Sequence, residues 1–183
     1  MTSEVGLLNR RLASDLDGAF PELVTEMQGL VFNGARRWVP SRQDAEDIAQ
    51  EVFVKAYKAL QGYPSQRVTE LRLRPWLFTI TINLCRNHAR TKSRRPTQTA
   101  LSGVEPLAPT ATEQSAVDAV TIDEWRVRLG ELGTRQRDAI VLRHVVGLPY
   151  EEIAEVLGRP AGTVKSDVHR GLERLRSMLA TEE

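Results

Sequence analysis

Between Ala19 and Leu60 apolar residues return every three or four positions, as in Phe20, Leu23, Val24, Met27, Leu30 and Val31, then Ile48, Val52, Phe53, Ala56 and Leu60. That period lays one apolar stripe along a helix, so the segment predicts two amphipathic helices or more. The break falls at Trp38-Val39-Pro40-Ser41. Pro40 drives the residue before it out of the helical region, and Ser41 is placed to cap the next helix start. Asp44, Glu46 and Asp47 then fall in the first turns, where negative charge suits the helix dipole. Gly62-Tyr63-Pro64-Ser65 is a second break. Helical spacing resumes behind Pro75, with Trp76, Leu77, Ile80 and Leu84 on one face up to about Arg90.

Residues Pro96 to Asp118 change character, with no Lys or Arg, three acidic residues, three prolines and many Thr, Ala and Ser. Such a stretch buries too little apolar surface to offset chain entropy, so it reads as a flexible, extended linker. Patterning returns with Val120, Ile122, Trp125, Leu129 and Leu132 and continues through Ala139, Ile140, Leu142 and Val146 to about Leu179. Two helical domains joined by a tether follow, at 1–95 and 119–183, with the linker at 96–118.

The segment from Leu148 to Arg170 has the layout of a helix-turn-helix. Ile153, Ala154 and Leu157 give a first short helix one apolar face, Ala154 being small enough for close approach, and Gly158 suits the turn. Pro160 starts a second helix, which Val164, Val168, Leu172, Leu175 and Leu179 pin to the core. The opposite face presents Thr163, Lys165, Ser166, His169 and Arg170 near its N-terminal end, where recognition helices meet base edges in the major groove. A plain helical hairpin is the rival reading of this pattern, and a lone exposed His is most often simply surface.

Composition adds little until it is located. Hydrophobic residues make up 41% and charged residues 27% of the 183, ordinary for a globular chain, and no apolar stretch reaches the ~18 residues of a membrane span. No membrane insertion is expected, and the acidic, Arg-containing start lacks the apolar run of a secretory signal, which points to the cytoplasm. The net charge of +1 argues against a nucleic-acid binder, but its distribution reverses that. From Arg67 to Arg95 eight basic residues face one acid, Glu70, and from Arg159 to Arg176 five face Asp167 and Glu173. Clustered cations beside an acidic remainder suit a protein that touches phosphates with some surfaces and a basic partner with others. Solvation alone is the competing account of either block. The single cysteine, Cys85, can form neither an internal disulfide nor a zinc site. With no Gly-rich phosphate loop, metal-ligand cluster or nucleophile and base, no catalytic residue, metal or cofactor is expected, and the chain does not read as an enzyme.

With Gly147-Leu-Pro-Tyr-Glu-Glu-Ile-Ala and Gly162-Thr-Val-Lys-Ser in view, the C-terminal domain resembles region 4 of extracytoplasmic-function sigma factors, of the sigma-70 superfamily. Asp44 to Tyr57 is similar to the region 2 helix that docks on the clamp helices of the polymerase β′ subunit, and Trp76 to Asn83 to the adjoining promoter helix. The resemblance implies an all-α protein that joins a region 2 bundle to a region 4 helix-turn-helix, binds core RNA polymerase through β′ clamp helices and β flap, and directs initiation at promoter DNA. An anti-sigma factor is a further partner it suggests. Carried over residue by residue, Asp44, Asp47, Gln50 and Glu51 would meet polymerase. Thr79, Asn83, Arg86, Asn87 and Arg90 would meet the minus ten element, with Trp76 and Ile80 in the core. Arg159, Thr163, Lys165, Ser166, His169 and Arg170 would meet the minus thirty-five element.

Two departures stand out. The position of Asp167 is commonly basic in the family; a carboxylate there repels phosphate, accepts from cytosine or points away. The loop from Tyr63 to Arg74 is longer than usual and lacks the customary aromatic-x-glycine start, so no flipped-base pocket maps onto it from sequence. Three rival functions remain: a helix-turn-helix regulator acting alone as a dimer, a sigma-like adaptor that sequesters an anti-sigma factor, and, more distantly, an enzyme. The acidic helix followed by a promoter-like helix speaks against the first, and Lys165, Ser166 and Arg170 against the second.

Overall fold

The structure, a computed structural model, describes residues 2–94 and 124–181, and every regular element among them is helical. The linker at 96–118, with Val120 and Ile122, lies outside the described residues.

Five helices form the N-terminal module: α1 (Thr2–Ser14), α2 (Leu16–Trp38), α3 (Arg42–Gln61), α4 (Ser65–Glu70) and α5 (Leu73–Arg94). The starts are capped as their residue types dictate: Asp15 accepts from the Gly18 amide at 3.0 Å and Ser41 from the Asp44 amide at 3.0 Å. Val39 is extended, as the following Pro40 demands. Helix α1 was not foreshadowed by periodicity, since among its described side chains only Leu8, Leu12 and one polar residue, Asn9, are buried. The Asn9 amide nitrogen donates to the carbonyls of Val68, Thr69 and Leu71 at 3.1, 3.3 and 2.6 Å, which ties α1 to the end of α4. They lie at the C-terminal end of α4, where the Val68 carbonyl also accepts from the Leu71 amide at 3.2 Å.

Helix α5 is the spine of this module. Its fully enclosed residues are Leu77, Phe78, Thr81 and Ile82, whereas Trp76 and Ile80, read as core from sequence, are only half-buried. The reason is that α5 is covered from two directions, by α2 and α3 on one side and by the C-terminal module on the other. Its buried arc is therefore wider than, and rotated from, a single-sided stripe.

The C-terminal module has helix at 124–130 (α6), then α7 (Thr134–Ile140), a π-helical turn at Val141–Val145, α8 (Tyr150–Leu157) and α9 (Ala161–Thr181). The π turn closes with the Val146 amide on the Val141 carbonyl at 3.0 Å. Gly158 ends α8 at φ +62°, the left-handed cap its position called for. Ala154 is half-buried, and α7 and α9 meet closely at Gly171, where an added Cβ would stand 2.5 Å from Ile140 Cδ1. Val164, Val168 and Leu175 face inward, Leu172 is half-buried, and Leu179, expected to pin the helix, is instead 38% exposed. Trp125 is likewise 39% exposed. The two modules share one apolar cluster, in which Leu77 and Phe78 of α5 are joined by Leu148 and Ile153 from around α8.

Candidate nucleic-acid and polymerase interfaces

Helix α3 turns Ile48, Val52, Phe53, Ala56 and Leu60 inward and leaves Asp47, Gln50 and Glu51 exposed on its outer side. These three carry only local contacts: Gln43 donates to Asp47 at 3.0 Å and Lys55 sits 3.3 Å from Glu51. Val54 lies on the same side and is 53% exposed, an apolar residue without cover that sequence reading passed over. Its helical spacing from Asp47, Gln50 and Glu51 was the available signal. Asp44 does not join this face. Its carboxylate turns toward α5, with His88 Nε2 at 3.1 Å and Lys92 Nζ at 3.4 Å. Partial burial alone would raise its pKa, but the Ser41 hydroxyl, His88 and Lys92 together hold it below the ordinary carboxylate value.

On α5 the residues Thr79, Asn83, Arg86, Asn87 and Arg90 follow one another at helical spacing. Asn83, Asn87 and Arg90 are exposed, whereas Thr79 and Arg86 are half-buried. Thr79 spends its hydroxyl on the Pro75 carbonyl at 2.9 Å. Arg86 donates to Asp138 of α7 at 2.8 Å, and the other oxygen of that buried carboxylate accepts from Trp38 Nε1 at 3.0 Å. Cys85, beside them, has its thiol pushed up to about 12, first by burial and then by the charge of Asp138. Such a thiol is inert at neutral pH.

The stretch before α5 contains helix α4, not only loop. Arg67 lies over the Tyr63 ring at 3.8 Å from its centroid, and Tyr63 and Trp76 stand 6.1 Å apart. A cavity of about 590 Å³ opens here, lined by Pro64, Arg67, Leu71, Trp76 and Thr79 of the N-terminal module and by Glu155 of α8. Its floor is apolar, at Leu71, Pro75 and Trp76, and its rim carries both signs of charge, Arg67 and Arg72 beside Glu70 and Glu155.

Helix α9 presents Thr163, Lys165, Ser166, His169 and Arg170 to solvent. Ser166 bonds back to the Gly162 carbonyl at 3.0 Å, and His169 lies 3.5 Å from Glu173 while 72% exposed. Arg159, from the turn, is separate from this set: its guanidinium is mostly buried and donates to Asp167 at 2.5 Å. Asp167 is 5% exposed and also accepts from Arg170 at 3.1 Å. The unusual carboxylate thus faces inward, fastening the turn to the second helix.

The sequence pattern of sigma-70 region 2 matches residues 23–95, and that of sigma-70 region 4 matches 122–175. An RNA polymerase sigma-E factor of Streptomyces avermitilis is 34% identical over 164 residues, which cover 90% of this chain and 87% of that protein. The ECF RNA polymerase sigma-E factor of Escherichia coli is 32% identical over 170 residues, covering 86% and 84%. Among solved structures, CnrH in complex with the cytosolic domain of CnrY aligns over 98% of this chain and 99% of that one, with 25% identity and a TM-score of 0.76. The sigma factor RpoE of Bartonella quintana, bound to the anti-sigma factor NepR, covers 90% and 98%, with 25% identity and a TM-score of 0.69.

Proposed function

The chain belongs to the sigma-70 family of RNA polymerase sigma factors, in its extracytoplasmic-function branch, and from this membership we infer how its surfaces divide the work of promoter-specific initiation. As a sigma factor it binds core RNA polymerase and directs where transcription starts. Asp47, Gln50 and Glu51 are the contacts to basic residues of the β′ clamp helices, with Val54 as an apolar anchor among them. Rim charges of this kind govern orientation and association rate more than affinity. Asp44 supports the helix from within.

Asn83, Arg86, Asn87 and Arg90 meet the minus ten element, and the cavity beside Trp76 receives an unstacked base. Thr163, Lys165, Ser166, His169 and Arg170 meet the minus thirty-five element. Arg159 and Asp167 brace that helix and leave base reading to the others. The region 4 module adds the β flap as a second polymerase contact, and residues 96–118 act as a flexible tether. An anti-sigma factor is a regulatory partner, as in the NepR complex, and the chain works where the polymerase is, in the cytoplasm. No helix among the described residues is long and apolar enough to cross a membrane. Nucleotide addition stays with the polymerase.

The observation that carries this reading is the outer side of α3, where three polar residues and an exposed valine face solvent on a helix whose other side is fully packed. Gel filtration with core polymerase tests it. The wild-type chain co-elutes with core enzyme, and the Asp47→Lys/Glu51→Lys variant co-elutes less or not at all. Equal co-elution of both, or of neither, overturns the assignment of this face.

A further inference from the structure

Trp125 of α6 and Leu179 near the end of α9 are large apolar side chains left exposed. They border one cavity of about 350 Å³, whose floor belongs to a separate apolar cluster and includes Leu129 of α6, Ile140 of α7 and Leu175 of α9. A single exposed apolar residue needs no account, but a hollow that two of them share does. The volume lies at the small end of the range for ligand sites. It is less than that of one turn of α-helix with its side chains, roughly 400–600 Å³ from the usual width and pitch, so the hollow suits a narrow chain better than a docked helix.

The rim is as one-sided in charge as the floor is apolar. Its charged or titratable members are Arg37 of α2, His144 of the π turn and Arg176 of α9, and no carboxylate of the described residues joins them. Arg37 donates to the Asn33 carbonyl at 2.9 Å, a neutral acceptor. Burial, and after it the charge of Arg36, lowers the Arg37 guanidinium below its ordinary pKa. Arg176 is exposed and makes no ion pair among the described residues. His144 is pushed toward its neutral form by burial and by Arg143. Elsewhere an arginine drawn toward the interior meets an acid, as Arg86 meets Asp138 and Arg159 meets Asp167. Here two guanidiniums flank an apolar hollow with no carboxylate to answer them.

We propose that this groove binds a long-chain carboxylate, a fatty-acid anion, with its acyl chain along Leu129, Ile140 and Leu175 and its carboxylate at Arg37 and Arg176. The apolar floor takes the chain and the two cations supply the missing counter-charge. Thr163, Lys165, Ser166, His169 and Arg170 lie on the first half of α9 and the groove uses the second, so the acid and the proposed base contacts share no side chain.

Isothermal titration of the full chain with dodecanoate and octanoate, each below its micellar concentration, tests the site without polymerase or DNA. At the usual stabilisation per buried methylene, dodecanoate should bind more tightly than octanoate by on the order of 100-fold. Arg176→Gln should weaken dodecanoate about fivefold, and Arg37→Gln/Arg176→Gln further, while binding of uncharged dodecanol is unchanged by either. Leu179→Glu, which puts a like charge at the groove, should weaken dodecanoate at least about tenfold. Arg176 and Leu179 are both exposed, so these two variants keep the test open should Arg37→Gln fail to fold. No binding of dodecanoate, equal binding of the two acids, or binding that the arginine and Leu179 variants leave unchanged overturns the proposal. Two other occupants give their own signatures, and either one overturns it. A doubled mass by X-ray scattering without acid, abolished by Leu179→Glu, assigns the groove to a second copy. Dodecanoate that fails to bind while Leu179→Glu weakens association with core polymerase assigns it to a protein partner.

Discussion

Removing the Asp167 carboxylate should weaken the C-terminal module without altering which bases it reads. Asp167 is 5% exposed, and the Arg159 side chain it accepts from at 2.5 Å is 16% exposed. Taking one partner from a fully buried pair costs ~3–5 kcal/mol, mostly because the other charge is left stranded. Arg159 keeps some access to water, and the Arg170 contact, 61% exposed on the arginine side, adds little. An Asp167→Ala loss of about 2–3 kcal/mol follows from these exposures. For a chain of this size, whose modules share a core, each kcal/mol moves the melting temperature by roughly 2–4 °C, so the transition should fall by about 4–12 °C. Asp167→Asn, which keeps one acceptor oxygen for Arg159, should recover part of the loss. Thermal melts by circular dichroism of the full chain give the stability, and a binding-site selection well below the melting point gives the preferred upstream sequence. Unchanged melting in Asp167→Ala, or a changed base preference in Asp167→Asn, refutes the bracing role and restores a base contact.

Val54→Asp should leave the fold intact, since the side chain is 53% exposed, yet weaken core-polymerase binding about tenfold by placing charge where about 1.5 kcal/mol of apolar burial is expected; fluorescence titration checks this. Gly171→Leu should destabilise by about 3 kcal/mol, because even a Cβ would meet Ile140 Cδ1 at 2.5 Å and Gln136 Cβ at 3.2 Å. Gly171→Ala should cost only about 1 kcal/mol, as better helix propensity offsets part of the crowding, and denaturant melts separate the two. Asp44 has its folded pKa below the ordinary value, so its stabilising contribution is present above the ordinary carboxylate pKa and is lost as pH falls through the lowered one. Stability measured against pH should therefore fall less steeply in Asp44→Asn over that acid range.

The helices that pack on one side were legible in the sequence. The periodicity of α3, the Ser41 cap and the Gly158 turn each depend on residues within one or two turns of each other, and each stands as read. Helix α1 was not legible, because its anchor is a side-chain amide donating to carbonyls 59 to 62 residues away. The same limit explains α5, whose buried arc is set by a module that sequence separates from it by the linker. Among the candidate contacts, residue type and spacing located the faces of α3, α5 and α9 but could not say which members were already engaged. Asp44, Arg86 and Arg159 carry charges that suit an outside partner, and each is instead held by a residue of this chain. Asp167 posed a puzzle only while its side of the helix was unknown; once inward, its charge has two arginines to meet.

In the proposed division of labour, one polymerase is directed to one promoter by two separate faces of this chain, on α5 and on α9. Run-off transcription with purified core polymerase, from promoters mapped after controlled expression of this chain, is the deciding measurement. Wild-type chain should give a single defined start, lost when Asn83 and Asn87 are changed to Ala and weakened when Lys165, Ser166 and Arg170 are changed to Ala. Transcripts that appear regardless of both sets, or a wild-type chain that binds the promoter but never adds initiation, would contradict it.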